Sequence, residues 1–385
     1  MSEQIKPDLK FINSVINAGG ESLKKCFQCA TCSVVCKVTP DDKPFPRKEM
    51  VQAQWGLKDK LLSNPDIWLC HQCSDCTAYC PRGAKPGEVL GAIRKLSIEH
   101  YSFPSFLGKM VGDAKFLLFL LLVPVVIFGV AAPYLAQLIP PQYMEGHTPQ
   151  YLNELLSSSE PIVYAEKLMP VPFIDTIFGA AALFAAIGFF MGITKYWKDL
   201  TAGKRIKGSI VAAAVATITE FLAHKKFKTC EETVDRSRSH LFTFYGFVGL
   251  AITTTWAIVY LYGMHWLSPY PLRDPMKIFG NLSAASLLIG ISLVIINRLR
   301  HAEKAGAGSY FDWLFIGVIF TIVTTGLLSE ILRLLHVPVL AYPVYFIHLV
   351  FVFFLFAYAP FSKMAHMVYR TTALVFAKHT GRDIA

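Results

Sequence analysis

The chain has 385 residues, and its 37 Lys and Arg outnumber 27 Asp and Glu to give a net charge of +10. It is 54% hydrophobic and only 17% charged, well below the roughly 25% charged share of soluble domains, which excludes a wholly soluble enzyme. The abundance of Leu, Ile, Val and Phe excludes a disordered chain.

Cysteine and apolar residues are unevenly spread. Eight of the nine cysteines fall between Cys26 and Cys80, and the long apolar runs begin after about Lys115. The expected architecture is mainly α: a soluble helical head over residues 1–105 and a transmembrane bundle over 106–385. The start MSEQIKPDLK has no basic stretch leading into an apolar one, so no secretory signal is expected and the head should stay in the cytoplasm. Cysteines stay reduced there, and a dense cluster of them more often binds metal than forms disulfides.

In chain order, the first run is CFQCATCSVVC, with Cys26, Cys29, Cys32 and Cys36 spaced C-x2-C-x2-C-x3-C. The second, CHQCSDCTAYCP, repeats that spacing in Cys70, Cys73, Cys76 and Cys80. Three thiolates two residues apart can wrap three corners of a 4Fe-4S cube, while the fourth cysteine of each run reaches the other cluster. The expected ligand sets are therefore Cys26, Cys29, Cys32 with Cys80, and Cys70, Cys73, Cys76 with Cys36. Structural zinc usually takes C-x2-C pairs separated by a longer loop, which these tight runs do not offer. Between the runs, PRKEMVQAQWGLKDKLLSN has helical spacing, and PGEVLGAIRKLSIEH predicts a second helix with Pro86 in its first turn. This head resembles the helical ferredoxin of the heterodisulfide reductase small subunit, with Lys37 following Cys36 where a proline is usual.

Apolar runs of about 20 residues, enough to span a bilayer core, occur at about 116–139, 173–193, 241–262, 278–297, 311–335 and 343–363. The stretch 206–223 carries Lys207 and Glu220 and reads as an amphipathic surface helix. Lys and Arg crowd the 194–240 and 298–310 segments and are sparse in the 140–172 and 263–277 loops. The excess of positive charge in cytoplasmic loops therefore predicts a multi-pass protein of the cytoplasmic membrane with both termini inside. No element resembles a nucleic-acid reader.

Ionisable residues in or beside spans are uncommon and usually functional. His348 and His366 are 18 residues apart, five turns, so one continuous helix would place them on the same face about 27 Å apart. His240 opens the third span level with His366, and the two could supply both axial ligands of a b-type haem. His348 reads as a further ligand. For its outer partner the candidates are His336 and His265, the latter 25 residues or almost seven turns beyond His240 and so on nearly the same helical face, with a five-coordinate haem as the remaining option. Near the outer end of the fifth span, Glu330 and Arg333 are i,i+3 neighbours able to pair, and Glu330 could take protons from a quinol; snorkelling to the interface is the bland alternative.

The stretch HLVFVFFLFAYAPFSKMAH resembles the last transmembrane helix of nitrate reductase gamma-type cytochromes b, in which both histidines bind haem. In that family another span supplies both partner histidines. In SHLFTFYGFVGL only His240 matches, and Leu250 stands where the second is expected. Over both halves the chain resembles the subunit of the quinone-interacting membrane-bound oxidoreductases of sulfate-reducing prokaryotes that joins a heterodisulfide-reductase-like ferredoxin head to a membrane cytochrome b. That resemblance implies menaquinol oxidation, two b haems, soluble partner subunits carrying flavin and iron–sulfur centres, and electron delivery to adenylylsulfate reductase. The competing expectations are the membrane subunit of a sulfite-reductase-linked or heterodisulfide reductase complex and a non-enzymatic redox-sensing anchor.

Overall fold

The computed structural model describes residues 6–131, 152–204, 207–223, 234–306 and 308–382, and among these every regular element is helical. The head comprises α1 (Leu9–Val15), α2 (Thr31–Val34), α3 (Arg47–Gln54), α4 (Lys58–Leu62), α5 (Asp66–Leu69), α6 (Asp75–Ala78) and α7 (Pro86–Tyr101). Asp8 caps α1 by accepting from the Phe11 N–H at 2.9 Å. The helical stretch expected over 46–64 is divided into α3 and α4 at Gly56. Gly56 has φ +64°, and a Cβ there would sit 2.6 Å from the Asp8 carbonyl oxygen, so only glycine lets α1 approach this turn. As expected, Pro86 occupies the first turn of α7, where its missing N–H costs nothing. Leu23, Phe45, Met50, Leu61, Trp68, Val89 and Ile93 are buried together in the head core.

The body begins with α8 (Ser105–Gly112) and α9 (Leu117–Val126), which form a pair bent by 96°. It continues with α10 (Val171–Thr201), α11 (Ile210–Leu222), α12 (Val234–Ile258), α13 (Pro275–Arg300), α14 (Tyr310–Leu334), α15 (Pro338–Ala357) and α16 (Ala365–His379). Five of these helices are long and apolar enough to cross a membrane, and the bent pair makes up to six. The end of the first predicted span, 132–139, lies outside the described residues. Exposed Phe190, Leu183, Leu282 and Leu118 give the bundle the apolar exterior that lipid requires. At 13 residues, α11 is about 20 Å long, too short to span. It packs on α16, with Lys378 bonded to Glu220 at 2.6 Å.

One correction concerns the last span. It ends at Ala357, followed by a 3-10 turn over Ala359–Phe361 and the separate helix α16, because proline cannot continue the α-helical bond ladder. His348 and His366 therefore belong to different helices.

The tightest interhelical seam joins α12 to α13. A Cβ on Gly246 would lie 2.6 Å from the Leu287 nitrogen, and one on Gly290 would lie 2.4 Å from the Thr243 nitrogen. This close approach of small residues replaces the hydrophobic driving force that is missing within lipid.

Head and body are fastened through α16 and α10. Trp68 of α5 meets the rings of Tyr369 and Tyr196, and the Tyr101 hydroxyl donates to Asp199 at 2.9 Å. Arg382 bonds to Asp66, which also accepts from Lys48 at 2.7 Å. Beside this network Glu49 is fully buried, and burial pushes its carboxyl from 4.5 up to about 7 against the opposing pull of Lys48. The folded head thus holds the proton more tightly than the unfolded chain does. The contribution of Glu49 to stability is largest below pH 4.5, falls as the pH climbs to about 7, and stays low above, a cost on the order of 3 kcal/mol. Glu49→Gln should raise the melting temperature at pH 8 and leave it nearly unchanged at pH 5. An equal effect at both pH values in thermal unfolding would show that Glu49 carries no titrating penalty.

Candidate functional site

The two cysteine runs fold alike. In each, the second residue after the first cysteine and the residue after the second cysteine lie in the left-handed region: Gln28 (φ 62°) and Ala30 (φ 69°), then Gln72 (φ 53°) and Ser74 (φ 73°). None is glycine, so each loop holds local strain, and successive backbone N–H groups turn inward as in an anion-binding nest. The Gln72 N–H lies 3.3 Å from Cys70 Sγ, and Gln28 Nε2 lies 3.4 Å from Cys26 Sγ.

The thiols group across the two runs. Burial pushes Cys32 up to about 11, reinforced by Cys26, Cys29 and Cys80. Cys36 rises to about 12 through burial, with Cys70 and Cys73 adding to it. Burial also raises Cys76, beside Cys70, Cys73 and Cys36. Buried thiolates crowded in this way need cationic charge among them. Among the described residues no three His, Cys, Asp or Glu side chains converge on one ion-sized point. Three cysteines of one run grouped with the fourth of the other suit a 4Fe-4S cube, which takes sulfur at its corners.

Where head meets body lies a cavity of about 1230 Å³, larger than the roughly 300–1,000 Å³ of ordinary small-molecule sites. Its lining includes Cys73 and its neighbours together with His240 of α12 and His366 of α16. Arg298, Asp312, Lys363 and Arg370 contribute a polar part of the wall, and Phe247, Ile252, Trp256 and Val259 an apolar part along α12. Burial, reinforced by Arg94, Arg370 and Lys363, holds His366 neutral, the ligand form of imidazole. Its ring lies 5.5 Å from that of Trp68.

Sequence reading missed the residues that fix this junction. Arg94 donates to the Cys70 carbonyl at 2.9 Å and to Gln72 Oε1 at 3.1 Å, and Arg370 reaches the same Cys70 carbonyl at 3.0 Å. Asp312 closes a capping box with Ser309 and bonds to Arg298 and Lys363, which ties the ends of α13 and α14 to the turn before α16. A signal was available: Arg370 follows His366 by four residues, so the two share a helix face.

The remaining candidates are placed differently from expectation. His348 is the eleventh of the 20 residues of α15, near mid-span rather than near an outer face. Its Nδ1 donates to the Ile322 carbonyl at 3.0 Å, which leaves the Nε2 lone pair available for a ligand. His265 lies beyond the helical turns that end at Gly263, and His336 follows α14; both are exposed in the left-handed region, with φ 54°. The shared helical face expected for His240 and His265 therefore does not exist. Glu330 pairs with Lys277 of α13 at 2.9 Å and accepts from Asn281 at 3.3 Å, in place of the expected pairing with Arg333. Arg333 instead stands near Tyr164, whose hydroxyl donates to the Ser329 carbonyl.

The family profile described as "4Fe-4S dicluster domain" matches residues 22–84, and "Citrate utilization protein B" matches residues 153–384. A citrate utilization protein B of Escherichia coli is 26% identical over 376 residues, covering 92% of this chain and 89% of that protein. A heterodisulfide reductase subunit-like protein of Archaeoglobus profundus is 33% identical over 104 residues, or 27% of this chain and 55% of its own. An H(2):CoB-CoM heterodisulfide,ferredoxin reductase subunit of Methanothermobacter marburgensis is 38% identical over 90 residues, or 23% and 47%. The chain thus spans about half the length of these two heterodisulfide reductase relatives. No solved structure matches. The head is a 4Fe-4S dicluster domain on a membrane protein.

If the clusters are shared across the runs, Cys36→Ser should remove about half of the iron and the EPR signal of the cluster held by Cys70, Cys73 and Cys76. Loss of the other signal instead would reverse the pairing.

Proposed function

The chain belongs to the citrate utilization protein B family, whose profile covers residues 153–384, and on that footing we propose that it is a membrane electron-transfer subunit. In this reading electrons pass between a membrane quinone and a soluble flavin- or iron–sulfur-bearing partner, through b-type haem and two 4Fe-4S clusters. The observation that carries it is the cavity whose lining holds Cys73 of one cluster loop together with His240 and His366. A haem there would supply one-electron chemistry between a two-electron quinol and the clusters. His240 and His366 would hold its iron, and the cations in the polar part of the wall suit its carboxylates. His348, with Nε2 free to bind metal, would serve a second haem.

In the direction read from the sequence, menaquinol is oxidised at the end remote from the head, where Glu330, held by Lys277, would take the protons. Arg333, no longer its partner, has only its place one turn on to recommend it. The partner in this reading is a soluble subunit of an oxidoreductase complex, and the heterodisulfide reductase relatives support that much. Adenylylsulfate reductase as acceptor draws no support from the full-length relative, whose description concerns citrate use.

Two measurements test this reading. His240→Ala and His366→Ala should each remove the same low-spin haem band from the optical spectrum, and His348→Ala a different one; distinguishable losses for the first two would break the pairing. Glu330→Gln should leave assembly and spectrum unchanged but slow haem reduction by a menaquinol analogue severalfold or more, in keeping with the loss of a positioned base. An unchanged rate would take Glu330 out of the quinol site.

A further inference from the structure

The two cysteine loops differ in what surrounds them. The Cys70 loop is enclosed: Cys70 and Cys76 are buried, Arg94 and Arg370 cover the Cys70 carbonyl, and Cys73 faces the cavity. The Cys26 loop opens outward. Cys29 is exposed, and around it stand Phe27, 66% exposed, and Val34, 82% exposed. Val34 ends α2, which packs on α6, and α6 leads to exposed Tyr79. The Arg82 guanidinium lies over the Phe27 ring at 4.1 Å, and Arg47 Nε donates to the Gln28 carbonyl at 3.0 Å.

The charges nearest this loop are mostly positive. Lys24 and Lys25, both exposed, immediately precede Cys26, with Glu21 at the edge of the run, and exposed Arg47 and Arg82 are held against Gln28 and Phe27. From Ser22 to Pro40, and again from Ala78 to Gly87, the chain has no carboxylate. Large apolar side chains ringed by cations and centred on an exposed cysteine match the aromatic and arginine anchors of protein interfaces. Lipid could satisfy the cations and the apolar residues. It could not use an exposed redox ligand.

We propose that this face, with Phe27 and Arg82 at its centre and Lys24, Lys25 and Arg47 around them, docks an acidic surface of a soluble one-electron redox protein. The inference rests on the electron-transfer reading and gives its soluble end an address and a charge. Opposite charge steers such a partner to the face and makes the encounter sensitive to salt, while Phe27 supplies contact that salt does not screen.

The test uses the full-length protein in detergent, with clusters intact by iron content and EPR, and an acidic flavodoxin in its fully reduced state as probe. One electron leaves the flavin and one cluster takes it up, followed by bleaching of cluster absorbance in stopped flow. The unmodified protein should react roughly tenfold or more faster at about 50 mM than at about 500 mM NaCl. Arg47→Glu with Arg82→Glu, and separately Lys24→Glu with Lys25→Glu, should each slow the low-salt reaction about tenfold while dithionite reduces the clusters at the unmodified rate. Phe27→Ala should slow it severalfold at both salt concentrations.

Charge-reversed proteins that accept electrons from flavodoxin at the unmodified rate at low salt would overturn the proposal. So would reversal that spares the flavodoxin reaction but abolishes flotation with phosphatidylglycerol vesicles, which would make the face a membrane contact. A menaquinol analogue applied to the same samples separates the two ideas: if it fails to reduce the clusters while the flavodoxin pattern holds, the quinone end is wrong and the docking face stands.

Discussion

Arg94 from the head and Arg370 from the body both donate to the carbonyl of Cys70, and the relation between the two halves of the chain depends on that convergence. A carbonyl oxygen has two lone pairs, so one atom can take a guanidinium from each side. Hydrogen bonds to charged groups are worth about 1.5–3 kcal/mol each, and both fall on the backbone of a cysteine. Because Arg370 lies one turn beyond His366 on α16, the same contact sets how far that histidine stands from the cysteine loop. Were His366 to hold a haem, as proposed, a fixed junction would matter more than a strong one, because electron transfer weakens steeply with distance.

Around that point the interface is built to exclude water. Trp68, Tyr101, Tyr196 and Tyr369 are each 2% exposed or less, and their rings meet at centroid distances of 5.0 to 6.5 Å, within the range of favourable aromatic pairs. Gly192 makes room for this packing, since a Cβ there would lie 2.4 Å from the Tyr369 hydroxyl. Near the chain's end, Arg382 reaches back to Asp66, two residues before Trp68. The last helix thus packs on both halves, on α10 and α11 of the body and on α5 of the head, and carries the contact between them.

What could be read from the sequence was local. The cysteine spacing is a property of short loops, and the folded loops repeat their backbone bends at corresponding positions. Five long apolar helices were likewise visible, because about 20 apolar residues carry their own meaning in a bilayer. Errors arose where a local rule was extended through a break. The 3.6-residue period holds only along a continuous helix, so Pro360 undid the geometry drawn for His348 and His366, and the end of helical structure at Gly263 undid that for His265. Partnerships between distant segments were invisible: Glu330 finds Lys277 on another helix, 53 residues earlier in the numbering, although Arg333 was nearer in sequence.

The enclosure of one cysteine loop and the openness of the other bear on how each would behave as a redox centre. Reduction potential in iron–sulfur proteins responds to nearby charge, hydrogen bonds and solvent access. Arg94, only 4% exposed, sets a permanent positive field beside Cys70 that dissolved ions cannot reach. Around Cys29 the charges are in water, where counter-ions screen them within about 8–10 Å. Two centres with identical sulfur ligands would then differ in kind: the inner one would keep a potential set by the fold, and the outer one would drift with ionic strength and with whatever settles against it.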